Sequence, residues 1–232
     1  MSGRWPIHTL VFDLDDTLFA ERDFVRGGFE AAGRWLEAER GVRGFAAEAM
    51  TLLDQGVRGT IFDRVLAGFG LAPDAAIIAG LLQAYRAHRP VLTLCPDAAD
   101  CLTWAFGRFR LALVTDGYRD VQARKIAALG LEERIGCRIL TDALGREFWK
   151  PSPAGFKCVM EAFPGRSDGF IYVADNPRKD FIAPRALGWR TLRIRRAGGE
   201  HAAYGAATAE AAEGEVELLT ELCALLEAVP NS

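Results

Sequence analysis

Several short apolar segments of this chain each end abruptly in polar or acidic residues. The first is the run TLVF at residues 9–12 directly before Asp13, and later runs end near Thr115 and Asp175. Such runs are typical of buried β-strands, and helix-like stretches lie between them. This β-α-β-α order predicts a doubly wound parallel sheet in an α/β fold. Strands are expected at 9–12, 111–117, 137–140, 170–176 and 191–195, helices near 97–106, 119–129, 153–163, 178–187 and 215–228, and a loop at 196–214.

The spacing between the first two strong strands indicates an inserted module. The step from Asp13 to Thr115 is 115 − 13 = 102 residues, whereas a βαβ unit needs about 30. The surplus residues have apolar side chains at helical spacing, with turn signals at 41–44 and 70–73. The expected domains are a core made of residues 1–18 and 92–232 and a small inserted α-helical domain over residues 19–91.

Composition argues against several classes of function. Acidic residues outnumber basic ones by 31 to 28, so no bulk positive charge is available to bind nucleic acid polymers. No apolar run approaches the ~20 residues needed to cross a bilayer, and the amino-terminal residues lack the apolar stretch of a secretory signal. Five scattered cysteines support neither a zinc site nor a disulfide framework. We therefore expect a cytoplasmic protein with no membrane or nucleic-acid partner, and its oligomeric state stays open.

Three carboxylates are expected to meet at one edge of the sheet. Asp13 and Asp15 lie at the end of the first strand, and Asp175 follows another strand. Ligands of open parallel sheets bind beyond the carboxyl ends of the strands. Crowded carboxylates repel one another unless a cation neutralises them, and all-oxygen ligands suit a hard divalent ion. The sequence therefore predicts a Mg²⁺ site.

Two further residues point to a phosphorylated substrate. Thr115 ends a strand, and Lys150 stands at the start of a predicted helix in a chain with 24 arginines and only four lysines. A hydroxyl and an ammonium are natural donors to phosphoryl oxygens, and Mg²⁺ commonly bridges protein carboxylates to phosphate. We expect the partner to be a small phosphorylated metabolite.

These segments resemble the four motifs of the haloacid dehalogenase superfamily. The matching stretches are VFDLDDTL around Asp13, LVTDG around Thr115, WKPSPAGF around Lys150 and YVADNPRKD around Asp175. The order, the spacing and the point of insertion resemble the subclass with a helical cap between the first and second motifs. The resemblance implies a Rossmann-like core with an inserted α-helical cap domain.

The resemblance also implies a role for each motif residue. Asp13 would be the nucleophile that forms an aspartyl-phosphate, and Asp15 the acid that protonates the leaving oxygen and later activates water. Thr115 and Lys150 would hold the transferring phosphoryl group. The metal ligands would be Asp13, the carbonyl of Asp15, and Asp175.

Three neighbouring positions have less specific roles. Asp180 fits as a partner of metal-bound water or of Lys150, and Asn176 is a second candidate for the surroundings of the metal. Asp116 would contact substrate through its backbone or orient the substrate on the cap side, unless it is a strand-end turn residue. Ala174 stands where a glycine often precedes the acid of the fourth motif.

Asp15 favours hydrolysis of a phosphate ester, because dehalogenase members of the superfamily lack an acid at this position. A phosphosugar mutase stays open, although mutases usually have Gly after the acidic pair and Asp16-Thr17 stands here. A catalytically silent phosphate-binding or signalling protein is the other alternative. The segment LFAERDFV at 18–25 resembles cap-bearing nucleotidases, so nucleoside monophosphates are favoured as substrates, with sugar phosphates close behind.

Overall fold

The computed structural model describes residues 7–205, 207 and 210–228. Contacts divide the chain into two compact units, one formed by residues through Glu21 together with those from Thr93 onward, and the other by Arg22–Leu92. The expected boundaries lay after residue 18 and before residue 92. The division into a core and a cap stays a prediction, and the two units are described separately. In the described part of the chain, no helix is both long and apolar enough to span a bilayer.

The first unit contains a six-stranded sheet in which all the paired strands are parallel. The prediction of a parallel α/β sheet with flanking helices is therefore confirmed. The strands are β1 (Thr9–Phe12), β2 (Arg110–Thr115), β3 (Cys137–Leu140), β4 (Phe170–Ala174), β5 (Arg190–Ile194) and β6 (Gly214–Val216), in the order β3-β2-β1-β4-β5-β6. The helices of this unit are α5 (Pro96–Ala105), α6 (Arg119–Ala128), α7 (Ala154–Ala162), α8 (Ile182–Ala186) and α9 (Leu219–Glu227).

The central strand β1 sets the position of the acidic residues. Phe12 lies beside Leu113 of β2 and Val173 of β4, and all three side chains are fully buried. A strand covered on both faces favours a continuous apolar run, which explains why TLVF shows no alternation. Because the three strands run in the same direction, the residues that follow them emerge at one edge of the sheet.

Two sequence-based assignments near the carboxyl terminus were wrong. Gly214–Val216 pairs with β5 as an edge strand, whereas a loop ending at 214 and a helix from 215 were expected. Glycine and glutamate are poor strand formers, so pairing with β5 overrides the local preference of this segment. The helix expected near 178–187 is confined to Ile182–Ala186, because Asn176 folds the preceding residues into a turn by accepting a hydrogen bond from the amide of Arg178.

The second unit is helical. It contains α2 (Phe45–Asp54), α3 (Ile61–Gly68), α4 (Ala75–Ala87) and all but the first residue of α1 (Glu21–Arg40). Its core brings together apolar side chains from all four helices, among them Phe29, Leu36, Phe45, Val65 and Leu81. The turns predicted at 41–44 and 70–73 separate α1 from α2 and α3 from α4.

One glycine of this unit is required by close packing. A Cβ built on Gly28 of α1 would lie 2.5 Å from the Tyr85 ring of α4, closer than such contacts occur in real structures. Glycine therefore lets the two helices approach at this level. Gly68 of α3 differs, because a Cβ there would meet no atom within 4 Å.

Candidate functional site

A cavity of about 220 Å³ opens where the carboxyl ends of β1, β2 and β4 meet. Two of the predicted site residues, Lys150 and Asp180, have fully buried side chains and do not line it. The sheet topology therefore brings the motifs together, although they are widely separated along the chain. The predicted residues that line the cavity are Asp13, Asp15, Thr115, Asp116, Asp175 and Asn176.

Lys150 connects the carboxylates beneath this cavity. Its Nζ lies 2.7 Å from Asp13 Oδ1, 2.8 Å from Asp180 Oδ1 and 3.0 Å from the hydroxyl of Tyr172. A buried ammonium is tolerated only when it is paired in this way. Burial alone would lower the pKa of Lys150, but Asp13 and Asp180 raise it well above its ordinary value. Lys150 therefore stays a cation over the physiological pH range.

Asp13, Asp175 and Asp180 form a cluster with the chemistry of a metal site. Each offers a carboxylate oxygen, and the three oxygens lie within 4.8 Å of one another. Burial, together with Asp13 and Asp180, raises the pKa of Asp175 to about 9. Burial also raises the pKa of Asp13 to about 6, in spite of Lys150. The cluster offers only oxygen ligands, and the positive charge near it does not neutralise its three carboxylates. Such a cluster fits a hard divalent cation.

The Asp15 side chain has different partners. Lys125 Nζ donates to its Oδ1 at 2.6 Å, and Gln122 Nε2 donates to its Oδ2 at 2.9 Å. Gln122 also donates to Thr115 Oγ1 at 2.6 Å. Neither Gln122 nor Lys125 of α6 was predicted from the sequence. The scarcity of lysine could have pointed to Lys125, because three of the four lysines, Lys125 among them, form ion pairs with site carboxylates in the described part of the chain.

The carboxylate of Asp116 is fully engaged within the protein. It accepts hydrogen bonds from Thr141 Oγ1 at 2.7 Å, from the amide of Lys150 at 3.1 Å and from Lys179 Nζ at 2.9 Å. Burial opposes ionisation, but Lys150 and Lys179 hold the pKa of Asp116 below its ordinary value. The side chain therefore ties the end of β2 to the segment that contains Lys150.

The loop after β4 is held at both ends. Asp180 Oδ2 accepts from the amide of Asn176 at 3.0 Å, while Asp180 Oδ1 faces Lys150. Buried Arg193 of β5 donates from Nε to the carbonyl of Asp175 at 3.2 Å. These contacts fix the backbone that supports the Asp175 carboxylate. Asn176 and Asp180 thus lie where the surroundings of a metal were predicted.

Asp16 organises the turn after the acidic pair. Its backbone is left-handed, with φ of 49°, a conformation that aspartate tolerates better than most side chains. Its carboxylate accepts hydrogen bonds of 2.9 Å from the amides of Glu21 and Glu200. The contact between Asp16 and the loop after β5 was not predicted from the sequence, in which Asp16 is only part of a motif.

The family of the chain follows from comparison with known proteins. A family model for haloacid dehalogenase-like hydrolases matches residues 7–188, which covers all the motif residues. The chain belongs to this family. The predictions of the superfamily and of a hydrolytic enzyme are therefore confirmed.

Individual members of the family give a closer comparison. The chain is 27% identical over 227 residues to a phosphoserine phosphatase of Thermus thermophilus, with 81% of this chain and 88% of the relative covered. It is 27% identical over 198 residues to a glyceraldehyde 3-phosphate phosphatase of Methanocaldococcus jannaschii, covering 81% and 85%. A haloacid dehalogenase-superfamily hydrolase of Bacillus subtilis, YfnB, shares the fold with a TM-score of 0.69 at 20% identity, covering 97% and 99%.

Proposed function

We propose that this hydrolase is a Mg²⁺-dependent phosphatase that cleaves a small phosphomonoester through an aspartyl-phosphate on Asp13. The observation that carries the proposal is the 2.7 Å pairing of Asp13 with Lys150, at the edge of a cavity that Asp15 also lines. A carboxylate nucleophile, an acid and a cation thus stand at one site. The phosphatase names of the two relatives support this reaction class.

In the first half-reaction, a carboxylate oxygen of Asp13 attacks phosphorus, and the bond from phosphorus to the leaving oxygen breaks. Asp15 donates its proton to that oxygen, so the alcohol departs neutral. The hydroxyl of Thr115 donates to a phosphoryl oxygen, where negative charge accumulates, and Lys150 supplies positive charge from beneath the cavity through its contact with Asp13. The products of this step are the free alcohol and the aspartyl-phosphate.

The second half-reaction restores the enzyme. Asp15, now a carboxylate, takes a proton from water, and the water oxygen attacks phosphorus. The bond between phosphorus and the Asp13 oxygen breaks, which releases inorganic phosphate and regenerates the Asp13 carboxylate. Asp15 regains its proton in this step, so it is ready for another cycle.

The metal would be held by Asp13, Asp175 and the carbonyl of Asp15, with Asp180 and Asn176 nearby. Bound Mg²⁺ supplies positive charge that neutralises the phosphoryl group as it approaches the carboxylates. Asp116 would contact substrate only through its backbone, because its carboxylate is engaged by Thr141 and two lysines. Its side chain then acts by holding the Lys150 segment.

The substrate proposed is a small soluble monoester, a nucleoside monophosphate or a sugar phosphate. The names of the relatives add two further candidates, phosphoserine and glyceraldehyde 3-phosphate. We propose that the helical unit, Arg22–Leu92, is a cap that selects among these leaving groups. A cytoplasmic location stays a prediction.

The test is a screen for released inorganic phosphate over nucleotides, sugar phosphates, phosphoserine and glyceraldehyde 3-phosphate, with Mg²⁺ present. We expect saturable turnover of at least one ester by the intact chain and none by Asp13→Asn. Absence of phosphate release from every ester, with the protein folded and Mg²⁺ supplied, would overturn the proposal.

A further inference from the structure

Helix α6 has two polar side chains on its buried face. The Lys125 side chain is 4% exposed and Gln122 is 1% exposed, alongside the buried apolar residues Val121 and Ile126. Residues three apart on a helix point the same way, so Gln122 and Lys125 reach the same place. Burying an ammonium is costly unless the protein supplies a partner for it. The presence of such a pair on a packed helix face therefore needs an explanation in terms of what it contacts.

What the pair contacts is both oxygens of one carboxylate. Lys125 Nζ is 2.6 Å from Asp15 Oδ1, and Gln122 Nε2 is 2.9 Å from Asp15 Oδ2. Lys125 Nζ is also 3.7 Å from Glu21 Oε1. The amide of Gln122 reaches Thr115 Oγ1 as well, at 2.6 Å. One helix face thus fixes the orientation of the Asp15 carboxyl relative to a residue at the end of β2.

We propose that Lys125 and Gln122 are positioning residues that hold the Asp15 carboxyl in place for proton transfer, an inference that rests on the proposed phosphatase function. A proton donor must lie within hydrogen-bond reach of the leaving oxygen. Without the two donors, the Asp15 carboxyl loses the contacts that fix both of its oxygens. Positioning by α6 therefore limits the directions in which the Asp15 side chain can present its proton.

The proposal predicts a loss that depends on the leaving group. An alkoxide must be protonated as it departs, whereas p-nitrophenolate leaves without a proton. The ratio kcat/KM reports the step that forms the aspartyl-phosphate when this step is irreversible. Lys125→Met should therefore lower kcat/KM for an alkyl phosphate on the order of 100-fold, and for p-nitrophenyl phosphate by less than about threefold. If hydrolysis of the aspartyl-phosphate limits turnover, Lys125→Met should lower kcat for both substrates, because both form the same aspartyl-phosphate.

The experiment compares wild type, Lys125→Met and Lys157→Met on the best alkyl substrate and on p-nitrophenyl phosphate. Lys157 is the matched control, because it lies on α7 with an exposed side chain. Lys157→Met should match wild type on both substrates. If Lys125→Met lowers kcat/KM equally for the two substrates, the proposal is overturned. Lys125 would then have a general structural role.

Two further measurements keep the test decisive. If Lys125→Met does not fold, Gln122→Met, which removes a neutral donor at similar volume, should show the same preference for p-nitrophenyl phosphate with a smaller loss. When Asp15 is already replaced by Asn, adding Lys125→Met should not change the ratio of kcat/KM between the alkyl phosphate and p-nitrophenyl phosphate. A further loss of kcat/KM confined to the alkyl phosphate in this double variant would contradict the proposal that Lys125 acts by positioning Asp15. Failure of wild type to release phosphate from any ester would refute the proposed function instead.

Discussion

The ammonium of Lys150 lies 2.7 Å from Asp13 Oδ1 and 2.8 Å from Asp180 Oδ1, so one buried cation joins the end of β1 to the loop after β4. Asp175 belongs to the same carboxylate cluster, where burial and its acidic neighbours raise its pKa. One lysine does not balance three carboxylates. The proposed divalent cation would supply the missing charge.

Asp13→Asn should remove turnover while preserving the fold. The amide has the size of the carboxylate but cannot attack phosphorus, so phosphate release should fall by at least about 10³-fold. The far-ultraviolet circular dichroism spectrum should match that of wild type. A folded variant that keeps more than a few per cent of wild-type activity would contradict the covalent assignment.

Removal of metal should abolish activity reversibly. EDTA should stop phosphate release and excess Mg²⁺ should restore it, because the carboxylate cluster repels a phosphate dianion when no cation is bound. Mg²⁺ should also raise Tm in the absence of substrate, since it binds only the folded cluster. Asp175→Asn should lose most of this rise, whereas Asp100→Asn, at an exposed position on α5, should retain it. Full activity in chelated buffer would exclude the cluster from the mechanism.

Asp97 should make stability depend on pH in a defined direction. Burial opposes its ionisation, but the hydrogen bond from Arg196 and another from the amide of Leu219 lower its pKa. A carboxylate whose pKa is lowered by folding stabilises the protein above its unfolded pKa and loses that contribution as the pH falls through the folded pKa. Asp97→Asn should therefore reduce the free energy of unfolding by about 1–3 kcal/mol at pH 7.

The difference between wild type and Asp97→Asn should shrink as the pH is lowered below about 4, because Asp97 is then protonated first in the unfolded chain, and in the folded protein only at a lower pH. Urea unfolding at a series of pH values measures both effects. Asp100→Asn, on the same helix, is the control and should change stability little at any pH. A difference for Asp97→Asn that stays constant from pH 7 to pH 3 would contradict this account.

Gly28→Ala should destabilise the helical unit. The added methyl would meet the Tyr85 ring at 2.5 Å, so the ring must turn or α1 and α4 must move apart, at a cost of about 1–3 kcal/mol. Gly68→Ala is the matched control, since open space surrounds that helical position. It should leave stability unchanged or raise it by up to about 1 kcal/mol. Urea unfolding of both variants measures the contrast, and equal stabilities would show that the helices adjust without cost.

The order of elements along the chain predicted five of the six parallel strands, an insertion after the first strand and most of the residues of the candidate site. Apolar runs that end at Asp13, Thr115 and Asp175 predict parallel strands, and parallel strands present their carboxyl ends at one edge whatever the details of packing. The 102-residue step from Asp13 to Thr115 (115 − 13) predicted the insertion. These conclusions depend on local patterns and on chain order, which a single sequence contains.

The identity of the side chains that face one another depends on the packing of the folded chain. Asp180 shares a cluster with Asp13 and Asp175, Asp15 is held by α6, and the short strand β6 exists because β5 lies beside it. Lys150 and Asp13 are 137 residues apart in the chain, and the residues around them do not indicate that Lys150 Nζ lies 2.7 Å from Asp13 Oδ1. Such pairings depend on distances and rotamers between elements remote in the chain, and those are set only when the strands and helices have packed.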